Sequence, residues 1–173
     1  MRLAMGLWAA GLVCAGAMGQ ATPAAGADPI AAIKAYEGIW SIKIDNLETA
    51  HSKAGREEST LRNECWRSAG FYACDQFVNG ESKALIVFAY DSAKGRYTSY
   101  PIPVGGGAAG AGVLEIEGNV WTFPWEQTED GKTTHYRVVN VFESETKITY
   151  RREFSADRVS WTVMATGHEV KVK

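Results

Sequence analysis

Polar and apolar residues alternate with a period of two along most of the chain after Gly38, as in strands with one buried and one exposed face. Before this region, Asp28 as N-cap, Pro29 at the first helical position and Gly38 as terminator predict one short helix, with Ile30 and Ile33 on its apolar side. The chain is therefore predicted to be mostly β. The ten candidate strands lie near 39–47, 58–67, 71–78, 81–90, 96–103, 112–117, 120–128, 132–142, 146–154 and 159–166.

Short turns separate most of these strands. Asn79-Gly80 and Asp130-Gly131 are typical of type I′ turns, and Gly118-Asn119 fits a type II′ turn. Each strand is therefore expected to return beside its predecessor, in an antiparallel up-and-down meander of about 8–10 strands. Such a meander leaves two bare edges unless it closes, so we predict a barrel, with a two-sheet sandwich as the alternative.

The turn registers predict which side chains face the interior of the C-terminal half. One face is almost entirely apolar and the other almost entirely polar, with Asn140 and Arg152 as polar exceptions on the apolar face. The predicted inner face comprises Leu114, Ile116, Trp121, Phe123, Trp125, Tyr136, Val138, Asn140, Phe142, Ile148, Tyr150, Arg152, Phe154, Val159, Trp161 and Val163.

In the N-terminal half, a tight turn at Ala69-Gly70 places Cys65 opposite Cys74, at a spacing that a disulfide accepts. Continuing the register through Asn79-Gly80 puts this pair on the outer face. The same register puts another set of residues on the inner face: Arg62, Glu64, Trp66, Phe71, Ala73, Asp75, Phe77, Ala84, Ile86, Phe88 and Tyr90.

The first residues read as a cleavable secretory signal over 1–19, followed by a flexible leader over 20–27 and a single domain over 28–173. The apolar run is shorter than the roughly 20 residues of a membrane span. Lipoprotein anchoring through Cys14 is the less favoured variant, because Val13 stands where a small residue is wanted. Periplasmic or secreted export makes a Cys65–Cys74 disulfide the first interpretation of the remaining cysteines.

Composition and motifs exclude several functions. With 18 Lys and Arg against 20 Asp and Glu, and no basic tract, nucleic acid is not an expected partner. The run 105–110 matches G-x-G-x-x-G, but a strand follows it where a dinucleotide site needs a helix, so no nucleotide cofactor is indicated. His51, His135 and His168 are far apart, without nearby metal ligands. We therefore predict neither a cofactor nor a metal.

Charged residues predicted inside the barrel form the most informative constellation. Glu64 and Asp75 would lie opposite one another, with Arg62 on the same strand and with Asn140 and Arg152 on facing strands. Three interpretations stay open: a register slip that leaves these groups in water, a neutralised structural network, or a polar site for a ligand or for catalysis.

Short motifs then give a family resemblance. A helix leading into Gly38-Ile39-Trp40 resembles the Gly-x-Trp opening of lipocalins and other calycins. The segments 87–91, 95–97 and 155–161 are similar to bacterial calycin-like domains of unknown function. The resemblance implies a calycin-like barrel whose closed end is plugged by Trp40, with Arg152 packed over that ring in a cation–π contact.

Three functional hypotheses follow. The leading one is a non-enzymatic protein that binds a small molecule, for example an amphipathic one. Its candidate contacts are Trp40, Arg62, Glu64, Asp75, Tyr90, Asn140 and Arg152. The second is an interaction or inhibitor module that uses the loops 105–112 and 48–56. The third is an enzyme that uses Glu64 or Asp75 as a general acid or base. An internal void of at least about 300 Å³ would favour the first or the third.

Overall fold

The alternating segments form strands that each turn back on their predecessor. The computed structural model describes residues 28–106 and 110–173, and within them ten antiparallel strands close into a barrel in which β1 pairs with both β2 and β10. The strands are β1 (Gly38–Asn46), β2 (Gly55–Ser68), β3 (Phe71–Val78), β4 (Glu81–Asp91), β5 (Arg96–Pro103), β6 (Gly112–Glu117), β7 (Val120–Glu129), β8 (Lys132–Ser144), β9 (Lys147–Ser155) and β10 (Thr162–Lys171). The predicted meander and its closure are confirmed, and the sandwich is not formed.

The predicted turns have the backbone conformations that their residues favour. Asn79 and Gly80 both have positive φ, as do Asp130 and Gly131, which is the requirement of a type I′ turn. The Asp130-Gly131 turn fixes the pairing of β7 with β8, where Trp125 lies opposite Tyr136, as predicted. The inner face predicted for β6 to β9 is therefore confirmed.

A short 3-10 helix closes one end of the barrel. It runs over Pro29–Tyr36 and buries Ile30 and Ile33 against the core cluster that includes Phe88 and Leu114. Asp28 forms no capping hydrogen bond and instead pairs with Arg67. The predicted helix therefore forms, as a 3-10 helix. It acts as a plug at the end of the barrel where β1 begins.

A β-bulge reverses the faces predicted for β2 and β3. The pairing of β3 with β4 shifts between Gln76 and Phe77, with Lys83 as the extra residue, so Cys74 rather than Ala73 lies opposite Ile86. Because side chains alternate with a period of two, one extra residue turns the whole strand over. The inner face of β4 is as predicted, but that of β3 and of its partner β2 is the opposite.

The disulfide is formed between the predicted partners on the other face. Cys65 lies opposite Cys74 and is bonded to it. Cys74 is buried in the core and Cys65 packs against it, so the outer-face placement was wrong. Trp66 and Phe71, predicted to be internal, are 45% and 37% exposed.

The last strand also departs from the predicted register. β10 begins at Thr162, after a longer loop, and its pairing with β9 shifts between Val163 and Ala165. Val159 is 80% exposed, and Trp161 packs on the outward-facing Arg137. The inward placement of Val159 and Trp161 was therefore wrong, because residues 156–161 form a loop, whereas a strand was predicted to begin at 159.

The predicted signal and leader, residues 1–27, lie outside the described residues, as do 107–109 within the Gly/Ala loop. Of the helices in the described part of the chain, none has the length and apolar character needed to cross a membrane.

Candidate functional site

A cavity of about 290 Å³ lies inside the barrel, next to the helical plug. Its wall is mostly apolar and aromatic, with a few polar side chains that converge on it, which is the usual composition of a small-molecule site. The lining residues are Tyr36, Asn63, Cys74, Gln76, Ile86, Phe88, Ser99, Pro101, Phe123, Val138, Asn140, Tyr150 and Glu169.

Two buried oxygen atoms on this wall have no hydrogen-bond partner among the described residues. They are Oε2 of Glu169 and Oδ1 of Asn140, whose residues are 5% and 2% exposed. A buried polar atom without a partner costs about 1–3 kcal/mol, so folded proteins rarely leave one unpaired. The cavity therefore presents two free hydrogen-bond acceptors in an apolar setting.

Glu169 carries the ionisable group of the cavity. Burial raises the pKa of its carboxyl to about 7, because a charge is poorly solvated there. No ion pair within the described residues involves this carboxylate, although it lies within electrostatic reach of Tyr36 and Tyr150 and raises the pKa of both phenols, after burial, the larger cause. The carboxyl is therefore poised to gain or lose its proton near neutral pH.

Tyr36 positions one side of the site. Its carbonyl oxygen accepts hydrogen bonds from Trp40 Nε1 and Asn63 Nδ2, each at 3.1 Å. Its hydroxyl oxygen accepts one from Asn140 Nδ2, which leaves Oδ1 of that amide free. The last residue of the plug thus orients Asn140.

Arg152 lies nearer the other end of the barrel, which we call the mouth. Its Nη2 donates to Asn46 Oδ1 at 2.9 Å, and its buried Nε is a third atom of the described residues without a partner. A second cavity of about 400 Å³ lies there, lined by Glu57, Trp125 and Tyr136, among others. Arg152 therefore faces the interior, as predicted.

The loop 47–54 crosses part of the mouth. The His51 ring lies 4.4 Å from that of Phe154, and its Nδ1 is 3.1 Å from the hydroxyl of Tyr136. The backbone N–H of Leu47 donates to the carbonyl of Met164. This segment, which overlaps the predicted interaction loop 48–56, contacts residues of the inner face through His51.

Three predicted site residues lie outside the barrel. Arg62 pairs with Glu64 at 2.5 Å, and their side chains are 38% and 56% exposed. Asp75 lies opposite Glu64, as predicted, but on this outer face. The bulge after Gln76 accounts for the error, and the structure brings none of the three to the cavity.

Trp40 and Tyr90 pack against other side chains and do not line the cavity. Trp40 is fully buried, but the cation over its ring is Lys171, 4.8 Å away, and not Arg152. The predicted Trp40–Arg152 contact is wrong because Arg152 reaches Asn46 at the mouth instead. Tyr90 packs on Tyr97 with ring centroids 4.9 Å apart and is not among the residues that line the cavity.

The sequence prediction missed Glu169, the central residue of the site. The last strand was expected to end at 166, whereas β10 continues to Lys171 and pairs Glu169 with Ile148. The alternation of Ala165, Gly167 and Glu169 is the signal that could have found it. That signal is weak, since only one of the three is a large side chain and it is charged.

Comparisons with known proteins add little to this geometry. No family model matches the chain, and no curated protein is similar to it in sequence. Among solved structures, the chain is similar to a redesigned β-barrel, at 12% identity and a TM-score of 0.37, covering 82% of this chain and 96% of that one. The site is therefore interpreted from its own residues.

Proposed function

We propose that this barrel binds a small molecule in its interior, with Glu169 and Asn140 as the polar anchors. One observation carries the proposal: two buried acceptors without partners face the same cavity. The burial of these two oxygens without partners lowers the stability of the folded protein, and hydrogen bonds donated by a ligand would offset that loss. The apolar remainder of the wall would hold the body of the ligand by burial of its surface.

The size of the cavity supports a compact ligand. Ligand sites generally enclose about 300–1,000 Å³, and the interior cavity, at about 290 Å³, lies just below that range. A molecule with a ring or short chain and one polar end would place its apolar part against Phe88 and Phe123 and its polar end at Glu169.

We also propose that the chain is related to the calycins and that it is exported. The closed up-and-down barrel, the Gly38-Ile39-Trp40 opening and the buried Trp40 support the former. The Cys65–Cys74 disulfide supports export, because disulfides persist in oxidising compartments. In this proposal residues 1–19 are the signal and the barrel is the mature domain.

Native mass spectrometry of protein expressed from the full chain tests the binding proposal. We expect a bound small molecule that is released on denaturation. We expect less of it in Glu169→Gln, which removes the charge of one anchor, and none in Val138→Phe, which fills the cavity. Glu64→Gln is the matched control on the outer face and should retain the molecule. Circular dichroism verifies that each variant is folded.

A retained molecule that survives Val138→Phe would lie elsewhere and would contradict the proposal. If no molecule is retained, saturation-transfer NMR with 2-phenylethanol gives the readout. Absence of a signal sensitive to Val138→Phe in that experiment would also contradict it.

A further inference from the structure

We infer that the interior site selects a ligand with a protonated primary amine, seated on Glu169 and Asn140, and an apolar, preferably aromatic, body. This inference rests on the proposed interior binding and specifies its ligand class. Both unpartnered atoms of the cavity are oxygens, so the complementary ligand group is a donor. An ammonium group has three N–H donors and no acceptor.

The two oxygens belong to side chains that line one small cavity. Asn140 donates to the hydroxyl oxygen of Tyr36, and the charge of Glu169 acts on the same hydroxyl. Both anchors therefore act on one phenol in the wall of this cavity of about 290 Å³, where one ammonium would meet them both.

Charge favours the amine over a neutral donor. Within the described residues Glu169 forms no ion pair: Arg152 bonds to Asn46 nearer the mouth, and Lys171, two residues further along β10, lies over the Trp40 ring. The carboxylate is therefore a buried anion whose counter-charge the ligand would supply. A hydrogen bond to a charged group is stronger than a neutral one, and aromatic faces such as that of Phe123 also attract a cation.

Isothermal titration calorimetry with three probes of similar shape tests this inference: 2-phenylethylamine, 2-phenylethanol and 3-phenylpropionate. At pH 8 we expect the amine to bind about 10- to 100-fold more tightly than the alcohol, the difference that a charge-assisted hydrogen bond supplies. The carboxylate should bind most weakly. Glu169→Gln should reduce the amine to the affinity of the alcohol and leave the alcohol unchanged, while Glu64→Gln should change neither.

The pH dependence of the affinity for the amine is a second readout. Glu169 must be ionised to hold the amine, so the affinity should increase roughly tenfold from pH 6 to pH 8. The charged or titratable groups around Glu169 are the phenols of Tyr36 and Tyr150, whose raised pKa values keep them neutral, Lys171 two residues along β10, and, toward the mouth, Arg152 and Glu57. His51 lies at the mouth, so a pH dependence of the affinity that persists in Glu169→Gln is assigned to a group other than this carboxyl.

The outcomes separate the two proposals. If 2-phenylethanol binds and Val138→Phe displaces it, but the amine has no advantage, the amine inference fails and interior binding stands. If the amine advantage persists in Glu169→Gln, or if the carboxylate binds most tightly, the inference is overturned. If no probe binds at millimolar concentration, both proposals fail.

Discussion

At the scale of single residues, the burial of Glu169 lowers the stability of the folded protein when its carboxyl is ionised. Its carboxyl is buried with one oxygen unpaired, and burial raises its pKa to about 7 from the ordinary value of 4.5. Between these two pH values the folded protein binds more protons than the unfolded chain. Stability therefore falls as the pH rises through this window, and the penalty is complete above pH 7.

We predict a pH-dependent loss of stability that depends on Glu169. The free energy of unfolding should include a decrease of about 3 kcal/mol between pH 4.5 and pH 7.5 that is absent in Glu169→Gln. Urea denaturation at a series of pH values measures it. Glu64→Gln should follow the wild-type curve, and a Glu169→Gln curve parallel to the wild type would refute the assignment.

Gly167 is a second residue whose identity is fixed by its surroundings. It pairs with Ile44 across the β1–β10 contact, and a Cβ there would overlap the backbone oxygen of Lys43. Because the obstacle is backbone, it moves only if the strands separate.

Gly167→Ala should therefore destabilise the barrel by more than about 2 kcal/mol, measured by urea denaturation. Gly55→Ala is the matched control, since a Cβ at that strand residue meets nothing within 4 Å. Equal effects of the two substitutions would show that strand propensity, and not close approach, sets the cost.

At the scale of elements, the hairpin β2–β3 carries the disulfide on the inner face. The bond closes a loop of nine-residue separation, for which the entropy model gives at most about 2.5–3 kcal/mol. The core cluster to which Cys74 belongs also contains Ile33, Phe88 and five other buried side chains, whose apolar contacts persist without this bond.

We expect the double variant Cys65→Ala/Cys74→Ala to remain folded, with about 2–3 kcal/mol less stability. Thermal unfolding followed by circular dichroism measures the loss, and non-reducing peptide mapping of the wild type provides the check on the linkage. An unfolded double variant would mean that the hairpin nucleates the barrel.

The same elements show how far the sequence could predict the fold. Two-residue turns with Asn-Gly or Asp-Gly dictate a register directly, so pairs such as Trp125–Tyr136 were predictable. A bulge has no comparable residue signature: Lys83 is an ordinary exposed strand residue, yet its insertion moved Glu64 and Asp75 outside. Glu169 was missed for a related reason, since the length of the loop before β10 is not evident from its residues.

At the scale of the whole molecule, the plug separates the cavity from solvent at one end. Ile33 is fully buried, and Tyr36 continues from the plug to the anchor Asn140. The plug therefore contributes both to the stability of the barrel and to the ligand site.

Ile33→Ala should lower the free energy of unfolding by about 2–4 kcal/mol, because the barrel wall cannot collapse into the space that is left. Chemical denaturation measures the effect, and Ala32→Ser, an exposed neighbour, is the control. If both variants have wild-type stability, the plug is not part of the cooperative unit.

The contact between β1 and β10 has a consequence for how the barrel reaches its folded state. Nine of the ten strand pairings join neighbours along the chain, but this one brings Trp40 beside Lys171, 131 positions later. Loop closure over such a length is entropically costly, so we expect this pairing to form late. Until it does, two long strands are open edges that other chains can join, and the period before closure is when the protein is most exposed to aggregation.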